Sequence, residues 1–214
     1  MYSGVSRSIG SNQKYGLCKA SPMKLFITKF CPHARKVLTL AHELQLEDCI
    51  ELILINPWAN PKELLDITPL GRVPALETED GELFVESILI SEYMMERSRV
   101  VFSSNTERMQ VLARAALFQS FADIACRTVG EQYRPQSLQW QAWLERQHQA
   151  LERTLPTVAL PPEERFDLGD IALACALSFL DSQVSAIKWR AKRPDLATWL
   201  DIAATRRSMI VSML

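Results

Sequence analysis

The sequence lacks an apolar run long enough to cross a membrane, and it lacks an excess of charge of either sign. Its longest apolar-looking stretch, DIALACALSFLD, is bounded by Asp170 and Asp181. A membrane-spanning helix needs about 20 apolar residues, so this stretch predicts a buried helix instead. The formal net charge is −1, which indicates neither a basic surface for nucleic acid nor an acidic tail. We therefore expect no nucleic-acid partner and no membrane partner.

The sequence also lacks a C-x-x-C pair and any cysteine–histidine spacing typical of a zinc site. Its five cysteines are Cys18, Cys31, Cys49, Cys126 and Cys175. An odd number in a chain of 214 residues does not suggest a disulfide framework. We expect no metal and a reducing, cytoplasmic location. Cys126 and Cys175, within apolar helical patterns, are interpreted as small core residues.

Residues 1–22 lack acidic side chains, a periodic apolar pattern and the apolar segment of a secretory signal. They are rich in Ser and Gly and carry three basic residues, which gives them a faint similarity to an organelle transit peptide. We favour a disordered extension, with regular structure beginning near Met23. The rest of the chain has an ordinary globular composition, since 48% of all residues are hydrophobic and 23% are charged.

The first half of the folded part alternates between strand and helix patterns. Residues 24–30 are β-branched and aromatic and predict a strand. From Pro32 the apolar residues recur at helical spacing, and the run CIELILIN at 49–56 predicts a second, buried parallel strand. Asp80–Gly81 predicts an antiparallel hairpin, and SILISEYMMERS follows as a helix. The pattern is therefore βαβ–ββα.

From about residue 107 the pattern is entirely helical. Three long segments carry it: ERMQVLARAALFQSFADIACRTVGEQY, SLQWQAWLERQHQALERTLPTVAL and FDLGDIALACALSFLDSQVSA, and RPDLATWLDIAATRRSM closes the chain. The third is apolar nearly all round, as the central helix of a bundle is. The segment RSRVVFSSNT is predicted to link this helical part to the βαβ–ββα part.

Cys31 is the first candidate for chemistry, because it lies between the first strand and the first helix. Pro32 suits the first helical position, which places Cys31 at the N-cap or beside it. Free backbone N–H groups and the helix dipole favour a thiolate there, so we expect a lowered pKa. The basic neighbours Lys29, Arg35 and Lys36 strengthen that expectation. A capping cysteine that only fills space is the alternative.

Two further stretches carry polar backbone or side-chain groups. In RVPAL, a cis Val73–Pro74 bond would turn the backbone of Val73 outward as an edge for a peptide-like ligand; a trans proline at an edge strand is the alternative. In FVESIL, Glu86 and Ser87 lie where a strand gives way to a helix. Ser87 can offer its hydroxyl and N–H to an anion, and Glu86 can receive an ammonium group. A simple N-cap role for Ser87 is the alternative.

The order of CPHARKV, TPLGRVPAL, VESILISEYM and FDLGDIALACAL resembles the glutathione S-transferase superfamily from about residue 23 to the end. The resemblance implies an α/β thioredoxin-like, glutathione-binding domain at 23–98 and an all-helical domain at 107–214. It also implies that Asp167 and Asp170 form a capping box at the start of the third long helix. Losing such a cap usually costs about 1 kcal/mol.

Position by position, the resemblance implies a site for glutathione as co-substrate. Val73, followed by a cis Pro74, would bind the cysteinyl unit through its backbone, and Glu86 and Ser87 would hold the γ-glutamyl end. Cys31 stands where the family places its sulfur-activating residue. The motif is omega-like and of the cysteine type.

Two positions near this site match the family less closely. His33 is a further candidate contact, at a position where related sequences often have Phe or Tyr. A basic residue that the family often has before the cis-proline has no clear match, and Asn60 is the nearest position.

The function that follows is a glutathione transferase or thiol transferase. Ala34 replaces the second cysteine of a C-x-x-C motif, so Cys31 would form a mixed disulfide with glutathione that a second glutathione releases. Conventional conjugation to electrophiles and a non-catalytic binding or regulatory role remain as alternatives.

The resemblance also implies a homodimer and a pocket for a small electrophile or disulfide between the domains. Its candidate aromatic lining residues are Phe118, Phe121, Tyr133 and Trp140. Trp58 is interpreted as a loop anchor, a dimer contact or a groove wall.

Overall fold

The computed structural model describes residues 21–100 and 102–213, so the extension predicted for residues 1–22 lies almost wholly outside it. Four strands form one mixed sheet: β1 Met23–Ile27, β2 Ile50–Leu54, β3 Ala75–Glu77 and β4 Leu83–Val85. Their order is β2-β1-β3-β4. β1 pairs parallel with β2, whereas β3 pairs antiparallel with both β1 and β4. The predicted hairpin at Asp80–Gly81 is therefore confirmed.

Three helices accompany the sheet and six follow it in the described residues. The first three are α1 Pro32–Glu43, α2 Lys62–Ile67 and α3 Ser87–Arg97. The others are α4 Asn105–Gln132, α5 Gln141–Thr154, α6 Leu168–Gln183, α7 Trp189–Lys192, α8 Pro194–Ala204 and α9 Arg207–Val211. The predicted fold class, a thioredoxin-like βαβ–ββα unit followed by an all-helical unit, is confirmed.

β2 differs from its prediction as a strand buried in the sheet. Among the strands of the described residues it is an edge strand, with β1 as its one partner. Leu52 and Leu54 are exposed rather than buried. The apolar run predicts a strand correctly, but periodicity within one segment does not determine which strands will lie on either side of it.

The core passes from the sheet into the helical part without a break. α1 packs against α3 on one side and against α6 and α9 on the other, while α4 and α6 form the largest helix pair. Leu25, Val37, Phe118 and Leu177 belong to this continuous core. A smaller cluster formed by Phe26, Leu64 and Ala75 lies apart from it. The N-terminal turn of α1 is thereby held between the two halves of the chain.

The capping box predicted at the start of α6 is present. The Asp167 carboxylate accepts hydrogen bonds from the N–H groups of Gly169 and Asp170, at 2.8 and 3.2 Å, and Asp170 accepts one from the Asp167 N–H at 3.1 Å. Arg165 adds two bonds to the Asp170 carboxylate, at 2.9 and 3.0 Å. Asp170 is buried and fully engaged in these contacts, so it acts on stability rather than in catalysis.

Three observations concern features that the sequence did not predict: a membrane-spanning helix, a metal site and a disulfide. Across the described part of the chain, no helix has both the length and the apolarity to span a membrane. No group of His, Cys, Asp and Glu in that part is arranged to hold a metal ion. Cys31, Cys126 and Cys175 are free thiols, but Cys49 is disulfide-bonded, which departs from the expectation of an entirely reduced chain.

Candidate active site around Cys31

Cys31 occupies the N-cap of α1, with φ −84° and ψ 114°, and Pro32 takes the first helical position as predicted. The Cys31 carbonyl accepts the first helical hydrogen bond, from the Arg35 N–H at 2.9 Å. Its side chain makes no capping hydrogen bond. Instead the Sγ lies 3.9 Å from the carbonyl oxygen of Val73. The helix start therefore brings the thiol to the loop that carries the predicted cis-proline.

The pKa of Cys31 moves in the direction opposite to the sequence-based expectation. Burial raises the pKa of this thiol above its usual value, although the backbone N–H groups of Ala34 and His33 and the cations Lys36 and Arg72 act to lower it. The helix start and Lys36 thus act on the thiol as predicted, and Arg72 adds a cation that was not predicted. Desolvation of the thiolate outweighs them, because the half-buried Cys31 packs against the continuous core.

The Val73–Pro74 peptide bond is cis, as predicted. Val73 lies two residues before β3, outside the paired residues of that strand. Arg72, one residue earlier, lines the same cleft as Val73 and Pro74. The resemblance implies a basic residue in this region, and Asn60 was the nearest match in the sequence. Arg72 supplies a cation there. Asn60 instead adopts a left-handed conformation after a short 3-10 turn.

Glu86 and Ser87 lie at the junction of β4 and α3, and Glu86 rather than Ser87 is the N-cap. Glu86 has φ +72°, a conformation uncommon for a residue with a side chain. Its carboxylate is exposed, 3.9 Å from the Arg72 guanidinium. Ser87 is buried, and its hydroxyl donates to the Gln119 side-chain oxygen at 2.7 Å. The Ser87 hydroxyl therefore already has a partner within the protein, whereas the sequence predicts that it is available to an anion.

A small cleft brings together all five residues predicted to bind the ligand. They are His33, Val73, Pro74, Glu86 and Ser87. The cleft thus joins the first turn of α1, the loop before β3 and the start of α3.

Gln119 and Asp123, both from α4, complete this cleft. His33 Nε2 lies 3.0 Å from Asp123 Oδ1, and this hydrogen bond is the main reason why the pKa of Asp123 is lowered. The sequence carries a signal for Arg72, which adjoins Val73. It carries none for Gln119 and Asp123, because they reach the cleft through tertiary packing.

A second cavity, of about 300 Å³, adjoins Cys31 on the side of α6 and α8. Its lining includes Phe30, Arg35 and Phe179 together with Met213 near the end of the chain. The residues predicted to line the second-substrate pocket line neither this cavity nor the cleft; they are Phe118, Phe121, Tyr133 and Trp140. Phe118 and Phe121 are core residues, and Tyr133 and Trp140 are exposed elsewhere. Trp58 is likewise exposed, in the loop after β2.

Comparison with known proteins agrees with this geometry. Residues 30–97 match the family model described as the glutathione S-transferase N-terminal domain. The uncharacterized GST-like protein YibF of Escherichia coli K12 is 29% identical over 197 residues, which is 87% of this chain and 96% of that protein. Mouse glutathione S-transferase omega-1 is 32% identical over 92 residues, but these span only 42% of this chain and 38% of the mouse protein.

A crystal structure of a glutathione transferase family member from Pseudomonas fluorescens Pf-5, with bound glutathione, has the same fold. Its TM-score is 0.81 at 28% sequence identity, and the match covers 89% of this chain and 98% of that one. The family-model match, the likeness to the E. coli protein along nearly its whole length and this shared fold together show that the chain is similar to members of the glutathione S-transferase superfamily.

Proposed function

We propose that the protein is a glutathione-dependent thiol transferase, with glutathione as co-substrate and Cys31 as the nucleophile. The observation that carries the proposal is the position of the Cys31 sulfur, 3.9 Å from the Val73 carbonyl oxygen. It places a free thiol next to the cleft formed around Val73, Pro74, Glu86 and Ser87. The glutathione bound in the similar Pseudomonas structure supports the same ligand here.

Glutathione would lie along this cleft with its sulfur toward Cys31. The backbone of Val73 offers a C=O and an N–H to the cysteinyl unit, as in strand addition. The exposed carboxylate of Glu86, which lies 3.9 Å from the Arg72 guanidinium, would receive the α-ammonium group of the γ-glutamyl residue. The N-terminal N–H groups of α3, beginning at Ser87, favour the adjoining carboxylate.

Thiol exchange then needs no oxidant beyond its own disulfide substrate. The Cys31 thiolate attacks the glutathione sulfur of a mixed disulfide R–S–SG, forming Cys31–S–SG and releasing RS⁻, which takes up a proton. A second glutathione thiolate attacks the glutathione sulfur of that adduct. The products are oxidised glutathione and the Cys31 thiolate. Ala34 supplies no resolving thiol in the first turn of α1, which is why a second glutathione is required.

The raised pKa of Cys31 affects the rate of this reaction without preventing it. A smaller fraction of the thiol is ionised at neutral pH, but thiolates of higher pKa are intrinsically more nucleophilic. Lys36 and Arg72, which stabilise the thiolate, keep the ionised fraction above the level that burial alone would set. The reaction is therefore expected to accelerate as the pH rises.

The same raised pKa also favours a second candidate function, conventional conjugation. A Cys31 side chain that stays protonated can donate an S–H hydrogen bond to a bound glutathione thiolate, which then attacks an electrophile itself. In both reactions we place the second substrate in the 300 Å³ cavity beside Cys31. Its mixed lining of Phe30, Phe179 and Arg35 suits a small molecule with an apolar body.

Two assays on matched variants separate these functions. Exchange with a glutathione mixed disulfide and conjugation to an aryl halide are measured for wild type, Cys31→Ser and Cys126→Ser. We expect Cys31→Ser to abolish exchange, because a hydroxyl cannot form the mixed disulfide, and Cys126→Ser to retain it. Exchange that survives Cys31→Ser would overturn the nucleophile assignment. Conjugation without exchange in the wild type would favour the second function, and failure of the folded protein to bind glutathione would leave neither.

A further inference from the structure

Lys36 is a buried cation that the proposed reaction does not use directly. It lies in the first half of α1 and is only 2% exposed. Within the described part of the chain, no carboxylate comes close enough to its ammonium to form an ion pair, and its hydrogen bond goes to the neutral side chain of Gln119. A buried charge without a carboxylate partner is costly to folding, so its presence calls for a physical reason.

The contacts of Lys36 lead directly to the cleft. The Gln119 Oε1 atom accepts two hydrogen bonds of 2.7 Å, one from Lys36 Nζ and one from Ser87 Oγ. This single amide oxygen therefore joins α1, α4 and the first residue of α3. Gln119 and Ser87 both line the cleft, while Lys36 lies behind them.

Four charged or titratable groups on different parts of the fold act to raise the pKa of Lys36. They are Cys31 at the start of α1, Glu86 before α3, Asp123 on α4 and Cys175 on α6. Burial lowers the pKa of Lys36 to about 8, and these four groups counteract that fall only in part. The ammonium is thus charged at neutral pH and loses its proton at a moderately alkaline pH.

We propose that Lys36 is a positioning residue and a buried counter-charge for the anionic γ-glutamyl end of glutathione. Its bond to Gln119 fixes the amide oxygen that holds Ser87 at the start of α3. Its positive charge acts on the ligand carboxylate through a region of low dielectric, where electrostatic interactions are stronger than in water. This inference rests on the proposed glutathione site and names a residue behind it.

A direct consequence is that ligand binding and the protonation of Lys36 support each other. An anion in the cleft raises the affinity of Lys36 for its proton, so by linkage the loss of that proton weakens anion binding. Affinity for glutathione should therefore fall as the pH rises through about 8. A purely structural lysine would give no such pH dependence.

The test measures binding of S-methylglutathione by calorimetry between pH 6.5 and pH 9, with Lys36→Met as the matched variant. The S-methyl group removes the ligand thiol from the titration, and comparison with the variant cancels the titration of the ligand amino group. We expect Lys36→Met to bind roughly three- to tenfold more weakly at pH 6.5. The affinity of the wild type should approach that of the variant at pH 9. Circular dichroism checks that the variant is folded.

A second variant, Gln119→Glu, separates the effect of charge beside Lys36 on ligand binding from the effect of side-chain packing. It keeps an oxygen within reach of both Lys36 and Ser87 but places a negative charge beside the ammonium. We expect it to weaken binding even at pH 6.5. Equal affinities and parallel pH profiles for wild type and Lys36→Met would overturn the inference while leaving the proposed function intact. Absence of binding by the wild type at pH 6.5 would overturn both.

Discussion

At the scale of single residues, the buried charge of Lys36, which we propose supports ligand binding, lowers the stability of the folded protein. Burial lowers its pKa from the usual 10.5 to about 8, so the folded protein holds this proton less tightly than the unfolded chain does. This destabilisation lowers the free energy of unfolding by its full amount below about pH 8. It is relieved as the pH rises toward 10.5, because over that window only the unfolded state still holds the proton.

Lys36→Met is therefore predicted to stabilise the fold while it weakens the binding of glutathione. We expect its free energy of unfolding at pH 7 to exceed that of the wild type by about 1–3 kcal/mol, since a methionine of similar length carries no charge to bury. Urea denaturation at pH 7 and pH 9.5 measures the difference, which should narrow at the higher pH. A difference that stays constant with pH would contradict this account of the lysine.

Cys31 gives a second prediction at the residue scale. Because burial raises its pKa, the rate of its alkylation by iodoacetamide should increase about tenfold per pH unit across neutral pH, as the thiolate fraction does. Cys126, whose pKa burial raises to about 12, should react far more slowly. Lys36→Met should slow Cys31 further, since that lysine stabilises the thiolate. Peptide mass mapping at timed intervals follows each cysteine separately, and a rate that is already constant below pH 7 would contradict the raised pKa.

At the scale of secondary-structure elements, the start of α6 depends on two aspartates. Asp170 accepts bonds from the Asp167 N–H and from Arg165 while almost fully buried. Asp170→Ala removes this carboxylate, so the Asp167 N–H and Arg165 lose their acceptor, and it should lower the free energy of unfolding by about 1–3 kcal/mol. Glu163→Ala, at an exposed position in the loop before α6, is the control and should change it far less. Thermal or urea unfolding measures both, and equal effects would mean that the capping box does not stabilise α6.

The elements also indicate which parts of the site the sequence could predict. Cys31, the cis Val73–Pro74 bond and the Glu86–Ser87 junction are each local, since Pro32, the turn before β3 and the switch from strand to helix mark them within a few residues. Gln119 and Asp123 could not be predicted in this way, because α4 shows only helical periodicity and its contact with α1 depends on tertiary packing. The edge position of β2 and the lining of the 300 Å³ cavity could not be predicted either, because they also depend on tertiary packing.

The pKa of Cys31 is a further case in which local pattern and tertiary structure disagree. The local sequence shows two of the groups that lower the pKa, the helix start and Lys36, whereas Arg72 comes near the thiol only in the folded chain. It does not contain the burial of the thiol, which results from packing of the sheet and the helical part around the first turn of α1. Since burial is the largest effect, the expected direction of the shift was wrong although the helix start and Lys36 act as expected.

At the scale of the whole molecule, β4, α3 and α4 each carry exposed apolar side chains. Leu83 on β4 and Leu89 on α3 are 47% and 50% exposed, and Met109 and Leu117 on α4 are 59% and 48% exposed. Exposed apolar side chains that cluster on a surface mark protein–protein contacts. We propose that they form the interface of a homodimer, the N-terminal half of each chain facing the helical half of its partner.

Light scattering coupled to size-exclusion chromatography tests this assembly. The wild type should have twice the mass of one chain, and Leu89→Asp should shift the population toward the monomer, because a charge at the centre of an apolar contact is left desolvated and unpaired. Ile202→Asp is the matched control: Ile202, on α8, is 55% exposed and lies outside the proposed interface, so this variant should remain dimeric. A monomeric wild type, or equal dissociation of both variants, would rule out this interface. Since the cleft and Cys31 lie within one chain, monomeric Leu89→Asp should still bind glutathione.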